Sequence, residues 1–178
     1  MALKLRIAGL AGSLCTLAAD RETWTGRLVK TAIEEATGIL RREQRIFCGS
    51  LELREADALD VLPVGEALDL IMVRRPPEQA EWLGKVEEDW RHLTLPNAPE
   101  WIMADRDIML AAVRQNGAVL RRASEDLTSD REVVLTAVQQ AGQVLEFVAE
   151  ELTCDREVVL AAVKQHGRAL AFASEHLQ

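Results

Sequence analysis

The stretch of sequence that decides the fold lies in the C-terminal part, where three similar rows follow one another. They read DRDIMLAAVRQNGAVLRRASEDLTS (105–129), DREVVLTAVQQAGQVLEFVAEELTC (130–154) and DREVVLAAVKQHGRALAFASEHLQ (155–178). Ten positions hold the same residue in all three rows, among them the opening Asp-Arg pair and a Gly twelve residues after the Asp. A repeat of this length is typical of helical solenoid proteins.

Each row carries the start and stop signals of a short helix. The opening aspartates stand where an N-cap belongs, since a carboxylate accepts hydrogen bonds from the free N–H groups of the first turn; they are Asp105, Asp130 and Asp155. The glycines twelve residues later are predicted to end that helix in a left-handed conformation; they are Gly117, Gly142 and Gly167. A second short helix should follow, with apolar positions such as Leu145, Val148 and Leu152. Each row is therefore predicted to be a helical hairpin.

The hairpins are expected to stack on one another. Helices of about ten residues are marginal alone in water. Apolar residues cover more than one face of the helix in the second row, at Val133, Val134, Leu135, Ala137 and Val138, so each unit needs a neighbour before and behind it. The sequence thus predicts three repeats, at 105–129, 130–154 and 155–178. Residues 76–104 are predicted to form a linker and a degenerate hairpin that caps the stack.

The N-terminal part has the pattern of strand, strand, helix and further strands. Leu3, Leu5 and Ile7 alternate with Lys4 and Arg6, the period of a half-buried strand. This alternation also argues against interpreting the apolar stretch 7–19 as a secretory signal. Further strands are expected around residues 15–19, 45–49 and 68–72, and a helix through 28–36 that ends before Gly38.

The repeat pattern Asp-Arg-Glu-Val-Val-Leu-x-Ala-Val-x-Gln-x-Gly resembles an uncharacterised α-helical repeat family that is plentiful in single-celled algae and related protists. The resemblance covers residues 105–178 well and 78–104 weakly. That family carries no known catalytic residues. The resemblance therefore implies a fold and a lineage, and it implies no reaction.

Residues 1–75 resemble the ubiquitin β-grasp in the order and spacing of their elements. The residues that carry the resemblance are Lys30, Ile33, Thr37-Gly38-Ile39, Glu43-Gln44-Arg45-Ile46-Phe47, Leu53 and Leu59. The fold class expected for the chain is therefore α+β, with a ubiquitin-like domain at 1–75 followed by an all-α solenoid. Conjugating members of the family end in Gly-Gly, whereas Arg74-Arg75-Pro76-Pro77 stands here. The domain is thus expected to be a built-in module rather than a tag.

The ubiquitin resemblance also implies a binding surface. Ubiquitin-like domains bind partners through a shallow apolar patch on the sheet, which arginines surround. The matching positions here are Leu10, Phe47 and Ile71, with Arg45, Arg74 and Arg75 around them. Such a patch suits a partner helix that is both acidic and apolar. Two interpretations stay open, because the patch either binds another protein or is covered by the chain's own acidic repeats.

Composition argues against several other classes of function. The net charge of −8 falls entirely within residues 76–178, and an acidic surface repels nucleic acid. The three cysteines are scattered, which is typical of free thiols in a reducing, cytoplasmic compartment rather than of a metal site. No apolar run reaches the roughly 20 residues that a membrane span needs. The three histidines are scattered, and the sequence contains no nucleotide-binding or hydrolase motif. We therefore predict no catalytic, cofactor-binding or metal-binding residue.

The sequence therefore predicts a non-enzymatic adaptor or scaffold that binds other proteins through the ubiquitin-like patch and the repeat surface. The alternative is a structural subunit held within a large protein assembly. Binding specificity in the solenoid is expected at repeat positions where the residue varies; these are Arg114, Gln139 and Lys164, and Arg121, Glu146 and Ala171. The identity of the partner does not follow from the residues.

Overall fold

The computed structural model describes residues 2–177. The chain forms two compact units, Met1–Ala80 and Glu81–Gln178, and each has its own apolar core. The first holds a five-stranded sheet and the second is helical, so the predicted α+β class is confirmed. Within the described residues, none of the helices combines the length and apolar character needed to cross a membrane.

The sheet of the first unit has the strand order β2-β1-β5-β3-β4. The strands are β1 (Ala2–Gly9), β2 (Gly12–Asp20), β3 (Gln44–Cys48), β4 (Leu51–Leu53) and β5 (Ala67–Arg74). The pairing of β1 with β5 is parallel and the others are antiparallel. The first and last strands of this unit thus lie side by side in the middle of the sheet, and the predicted strands are present.

One helix, α1 (Gly26–Thr37), contributes to the core of this unit. Its Val29 and Ile33 are fully buried in the same cluster as Leu5 and Leu70 of the sheet. The helix ends before Gly38, as predicted, and Gly38 itself has φ 73°, a left-handed conformation that favours glycine. Two short 3-10 helices complete the unit at Arg41–Glu43 and Leu59–Val61.

The second unit is a series of short helices around one apolar cluster. It includes most of α2 (Pro77–Glu88), whose first four residues belong to the first unit, and then the 3-10 helices Trp90–Thr94 and Glu100–Met103. The first helix of each repeat follows, namely α3 (Arg106–Gln115), α5 (Arg131–Val138) and α7 (Arg156–Gln165). Each begins directly after the Asp predicted to cap it, and each Asp accepts hydrogen bonds from two backbone N–H groups of its helix. The N-cap prediction is confirmed.

The second arm of each hairpin differs from the predicted continuous α-helix. It is a 3-10 helix at Gly117–Arg122, Gly142–Phe147 and Gly167–Phe172. In the first two repeats a single α-turn follows, α4 (Glu125–Thr128) and α6 (Glu150–Thr153). Extended backbone at Val148 separates the two pieces, and the next N–H, from Ala149, donates to the carbonyl of Thr128 one repeat earlier at 3.1 Å. The arm is broken because this N–H bonds to the neighbouring repeat and not within its own helix.

The repeat glycines serve a purpose other than the predicted left-handed caps. Among the described glycines only Gly12, Gly38 and Gly49 have positive φ, so the prediction for the repeats was wrong. A Cβ on Gly142 would lie 2.1 Å from the carbonyl oxygen of Ala162, in the next repeat. The absence of a side chain therefore permits close approach between successive repeats.

Candidate protein-interaction surfaces

The side of the sheet that faces away from the core carries a continuous apolar strip. Phe47 of β3 is the cross-strand partner of Ile71 in β5, and Ile71 is in turn the partner of Ala8 in β1. Ile71 is 49% exposed, whereas its neighbour Leu70 is fully buried. Successive side chains of a strand point to opposite faces, so these residues share the outer face. We call Ala8, Phe47, Ile71 and Val73 the sheet patch.

Leu10 stands at the edge of this surface. It lies in the turn between β1 and β2, two residues beyond Ala8. The side chain is 94% exposed, so it contributes nothing to the core. An exposed leucine at the tip of a turn is available to a partner that binds the sheet patch.

Arg45 lies beside the sheet patch, at the position that the ubiquitin resemblance implies. Its guanidinium is 5.2 Å from the centre of the Phe47 ring. Two hydrogen bonds of 2.8 and 2.7 Å join it to the carboxylate of Glu52 on β4. The arginine therefore flanks the apolar strip, and a carboxylate already balances its charge.

The other two predicted arginines are not on the sheet patch. Arg74 is the cross-strand partner of the buried Gln44 and pairs with Glu43 at 2.6 Å. Strand alternation places its side chain on the face opposite Ile71. Arg75 is only 5% exposed, and its backbone N–H donates to the carbonyl of Glu43 at 2.6 Å. We expected three arginines around the patch, but of these three only Arg45 lies beside it. The match by chain position was wrong for Arg74 and Arg75 because it does not indicate on which face of the sheet a side chain lies.

Sequence reasoning missed a second ion pair on the outer face. Arg6 and Asp69 are cross-strand partners, and two hydrogen bonds of 2.6 and 2.7 Å join their side chains. These hydrogen bonds and the charge of Asp69 hold the pKa of Arg6 above its ordinary value. The alternation Lys4-Arg6-Ala8 in β1 could have revealed it. With Arg6 and Arg45 both paired, the sheet patch is an apolar strip between two arginine–carboxylate pairs.

The repeats offer a second surface. All six of the varying positions are exposed; they are Arg114, Gln139, Lys164, Arg121, Glu146 and Ala171. A shallow depression between α5 and α7 is lined by side chains that include Leu135, Gln139, Leu160 and Lys164. Leu160 is 46% exposed there. We call the six varying positions the repeat ridge.

Charged side chains join successive repeats. Arg106 donates to Asp130 at 2.7 Å and to Glu132 at 2.5 Å, and Arg131 pairs in the same way with Asp155 and Glu157. Burial disfavours the charged form of Asp130, but the hydrogen bonds from Arg106 and from backbone N–H groups outweigh it, so the pKa of Asp130 lies below its ordinary value. These pairs connect repeats and are structural.

The cysteines and histidines do not converge. Cys15 and Cys48 are half-buried and Cys154 is exposed, all three as free thiols. Burial raises the pKa of the Cys15 thiol. Over residues 2–177, no group of three or more His, Cys, Asp and Glu side chains is arranged to hold a metal ion.

Comparison with known families concerns the second unit. Residues 92–128, 105–153 and 130–178 each match the family model described as Domain of unknown function (DUF4116). The second and third matches begin at the first residue of a predicted repeat, whereas the first begins at residue 92, within the segment 76–104, and successive matches overlap. They confirm that the helical repeat region is similar to an uncharacterised family. No curated protein matches the chain.

Proposed function

Starting from a repeat region that matches a family of unknown function, we propose that the chain is a non-enzymatic protein-interaction module that acts as an adaptor or scaffold. One interaction surface is the sheet patch with Leu10. The other is the repeat ridge. The three free cysteines fit a reducing compartment, and we propose the cytoplasm.

We further propose that the first unit is a ubiquitin-like domain. A parallel pair of first and last strands at the centre of the sheet, with one helix against the inner face, supports this assignment. The run Arg74-Arg75-Pro76-Pro77, in place of a terminal Gly-Gly, supports a role in binding rather than in conjugation. We also propose the algal or protist origin that the resemblance of the repeats implies.

The observation that carries the proposal is the sheet patch, in which Ile71 is exposed and Ala8, Phe47 and Val73 are half-buried. Apolar side chains of the outer face, Ile71 above all, add little to the core because they remain in contact with water. Contiguous exposed apolar side chains with a polar surround are characteristic of protein-binding surfaces. The ion pairs Arg6–Asp69 and Arg45–Glu52 provide that surround. The partner is therefore expected to present mainly apolar side chains at the centre of the interface.

A matched pair of variants tests this function. Ile71→Asp places a charge in the middle of the sheet patch, and Leu28→Asp does the same on α1, where Leu28 is 45% exposed. Immobilised wild-type and variant chains would be used to capture proteins from native extract, after circular dichroism has shown equal folding. We expect at least one protein that wild-type and Leu28→Asp retain and Ile71→Asp loses. Identical captured proteins for all three chains would contradict a role for the patch.

The alternative is a structural subunit of a large protein assembly, and the half-exposed Phe147, Leu160 and Phe172 favour it. Aromatic and leucine side chains left in water on a repeat protein suit permanent burial against other subunits. Gel filtration of native extract separates the two functions. A chain that elutes as a free, folded monomer supports the adaptor, and a chain found only in a large complex supports the subunit.

A further inference from the structure

The two interfaces between successive repeats are built from the same parts. At each one, an arginine pairs with two acidic residues at the start of the next helix; the pairs are Arg106 with Asp130 and Glu132, and Arg131 with Asp155 and Glu157. At each one, a glycine also lies against an alanine carbonyl, with a Cβ on Gly117 falling 2.4 Å from Ala137 and one on Gly142 falling 2.1 Å from Ala162. A complete interface between two repeats therefore consists of an arginine paired with two acidic residues and a glycine that lies against an alanine carbonyl.

The third repeat carries the arginine and the glycine of this interface, but within the described residues no following helix contacts them. Arg156 is exposed, and its side chain makes no hydrogen bond or ion pair with any other described residue. A Cβ on Gly167 would meet no atom within 4 Å. Val163 and Leu170 are half-buried, whereas their counterparts in the earlier repeats are at most 1% exposed; those are Val113, Val138, Leu120 and Leu145. We call Arg156, Val163, Gly167 and Leu170 the terminal face.

We propose that the terminal face docks a short helix of another protein, with an acidic pair at its start and an alanine one helix length further along. In α5 the cap Asp130 and the contact residue Ala137 are seven positions apart, and Asp155 and Ala162 repeat that spacing. At 1.5 Å per residue this is about 10 Å. The partner pattern is therefore Asp-x-Asp/Glu, then four residues, then Ala.

Charge complementarity favours this partner over a second copy of the chain. Besides Arg156, the exposed Arg168 adds positive charge next to Gly167. A symmetric dimer through the terminal face would bring like charges together, which opposes association. An acidic helix start would instead meet Arg156 as Asp130 and Glu132 meet Arg106.

A shallow depression offers room for the alanine-bearing turn. Its lining includes His166, Gly167, Leu170 and Phe172. At the complete interfaces, the corresponding glycine is covered by the last turns of the neighbouring helix, through Ala137 and Gln140 over Gly117.

The inference rests on the proposed function in that the repeats bind another protein, but it concerns a surface separate from the sheet patch.

The test uses a labelled synthetic peptide that covers residues 124–153 of this chain, which contains α5 with its acidic pair and Ala137. Fluorescence anisotropy would measure its binding to the full chain. We expect saturable binding that Arg156→Glu weakens about tenfold or more, since it replaces attraction by repulsion. Gly167→Val should weaken binding similarly, because it fills the place of the approaching backbone. The control Arg122→Glu makes the same charge reversal in the first repeat, two repeats away from the terminal face, and should change affinity by no more than about twofold because Arg122 is exposed.

A charge exchange separates direct pairing from loss of structure. A peptide with Glu132→Arg should bind the Arg156→Glu chain more tightly than the wild-type peptide does. Saturable binding of the wild-type peptide with the same affinity for the wild-type, Arg156→Glu and Gly167→Val chains would overturn the proposal. Dimerisation of the wild-type chain in sedimentation velocity, abolished by Arg156→Glu, would also overturn it and assign the face to a second copy.

If the peptide does not bind, a second measurement tests the same docking within one chain. The same hairpin is joined to Gln178 through a flexible linker, which raises its effective concentration to the millimolar range. We expect amide exchange at Gly167–Phe172 to slow, and Arg156→Glu to remove that protection. Unchanged exchange in the fusion would refute docking. Ile71→Asp should leave every one of these results unaltered, so failure here is distinguishable from failure of the sheet patch.

Discussion

The guanidinium Nε of Arg106 lies 2.7 Å from Oδ2 of Asp130, so a cation of one repeat holds the residue that caps the first helix of the next. The other carboxylate oxygen, Oδ1, accepts hydrogen bonds from the backbone N–H groups of Glu132 and Val133 at 3.0 and 3.1 Å. A single side chain therefore starts a helix and joins it to the preceding repeat. Arg131 and Asp155 form the same arrangement one repeat later. Helix initiation and repeat stacking are thus coupled.

Loss of the Asp130 carboxylate should destabilise the chain through both roles. We expect Asp130→Ala to lower the free energy of unfolding by about 2 kcal/mol, of which the cap accounts for about 1 kcal/mol and the ion pair for the remainder. Chemical denaturation followed by circular dichroism would measure the change. Asp126→Ala, at an exposed position of α4, serves as control and should cost less than about 0.5 kcal/mol. Equal losses for the two variants would refute the double role.

Acid should weaken the stack at these aspartates. Hydrogen bonds from Arg131 lower the pKa of Asp155, and Arg106 with backbone donors does so for Asp130 despite burial. Because both pKa values are lower in the folded state, their stabilising contribution is complete above the unfolded pKa of about 3.9 and is lost as the pH falls through the folded values.

The matched variant is Asp130→Asn combined with Asp155→Asn, which keeps side-chain oxygens as caps but removes the charges. Urea unfolding at successive pH values below about 4 should show a shallower loss of stability for this variant than for the wild type. Parallel curves would show that the two carboxylates do not contribute to acid sensitivity.

Two equivalent glycines should respond differently to the same substitution. Gly142→Ala would place its Cβ 2.1 Å from the backbone oxygen of Ala162, so the third repeat must move away. We expect a loss of about 1–3 kcal/mol in the free energy of unfolding, as for overpacking in a core. Gly167→Ala meets no atom within 4 Å and should be neutral or stabilising by up to about 1 kcal/mol. Thermal unfolding would compare them, and similar effects would contradict the close approach of repeats.

Substitutions at two adjacent residues of β5 should differ in their effect on stability, because one residue belongs to the core and the other to the sheet patch. Leu70 is fully buried and Ile71 is 49% exposed. Leu70→Ala is expected to cost about 3 kcal/mol in a denaturant titration, whereas Ile71→Ala should cost less than about 1 kcal/mol. An Ile71→Ala loss as large as that of Leu70→Ala would mean that the sheet patch belongs to the core.

Local patterns predicted much of the fold. Alternation of Leu3, Leu5 and Ile7 predicted β1, and the aspartates of the repeats predicted their helix starts, because both signals act between residues close in the chain. The same reasoning failed for the second arm, whose backbone bonds to the preceding repeat, as Ala149 does to Thr128. It also failed for Arg74, since the ubiquitin resemblance indicates a chain position but not which face of the strand carries it.

By itself the sequence determined the number of repeats, the helix starts and the alternating strands, since periodicity and capping are properties of neighbouring residues. Only the tertiary structure decided why Gly142 is a glycine, which face Arg74 occupies, and that Ala8, Phe47 and Ile71 form one strip. These facts depend on backbones that approach one another from distant parts of the chain. Strand register and repeat packing set that approach, and neither is encoded in a local pattern.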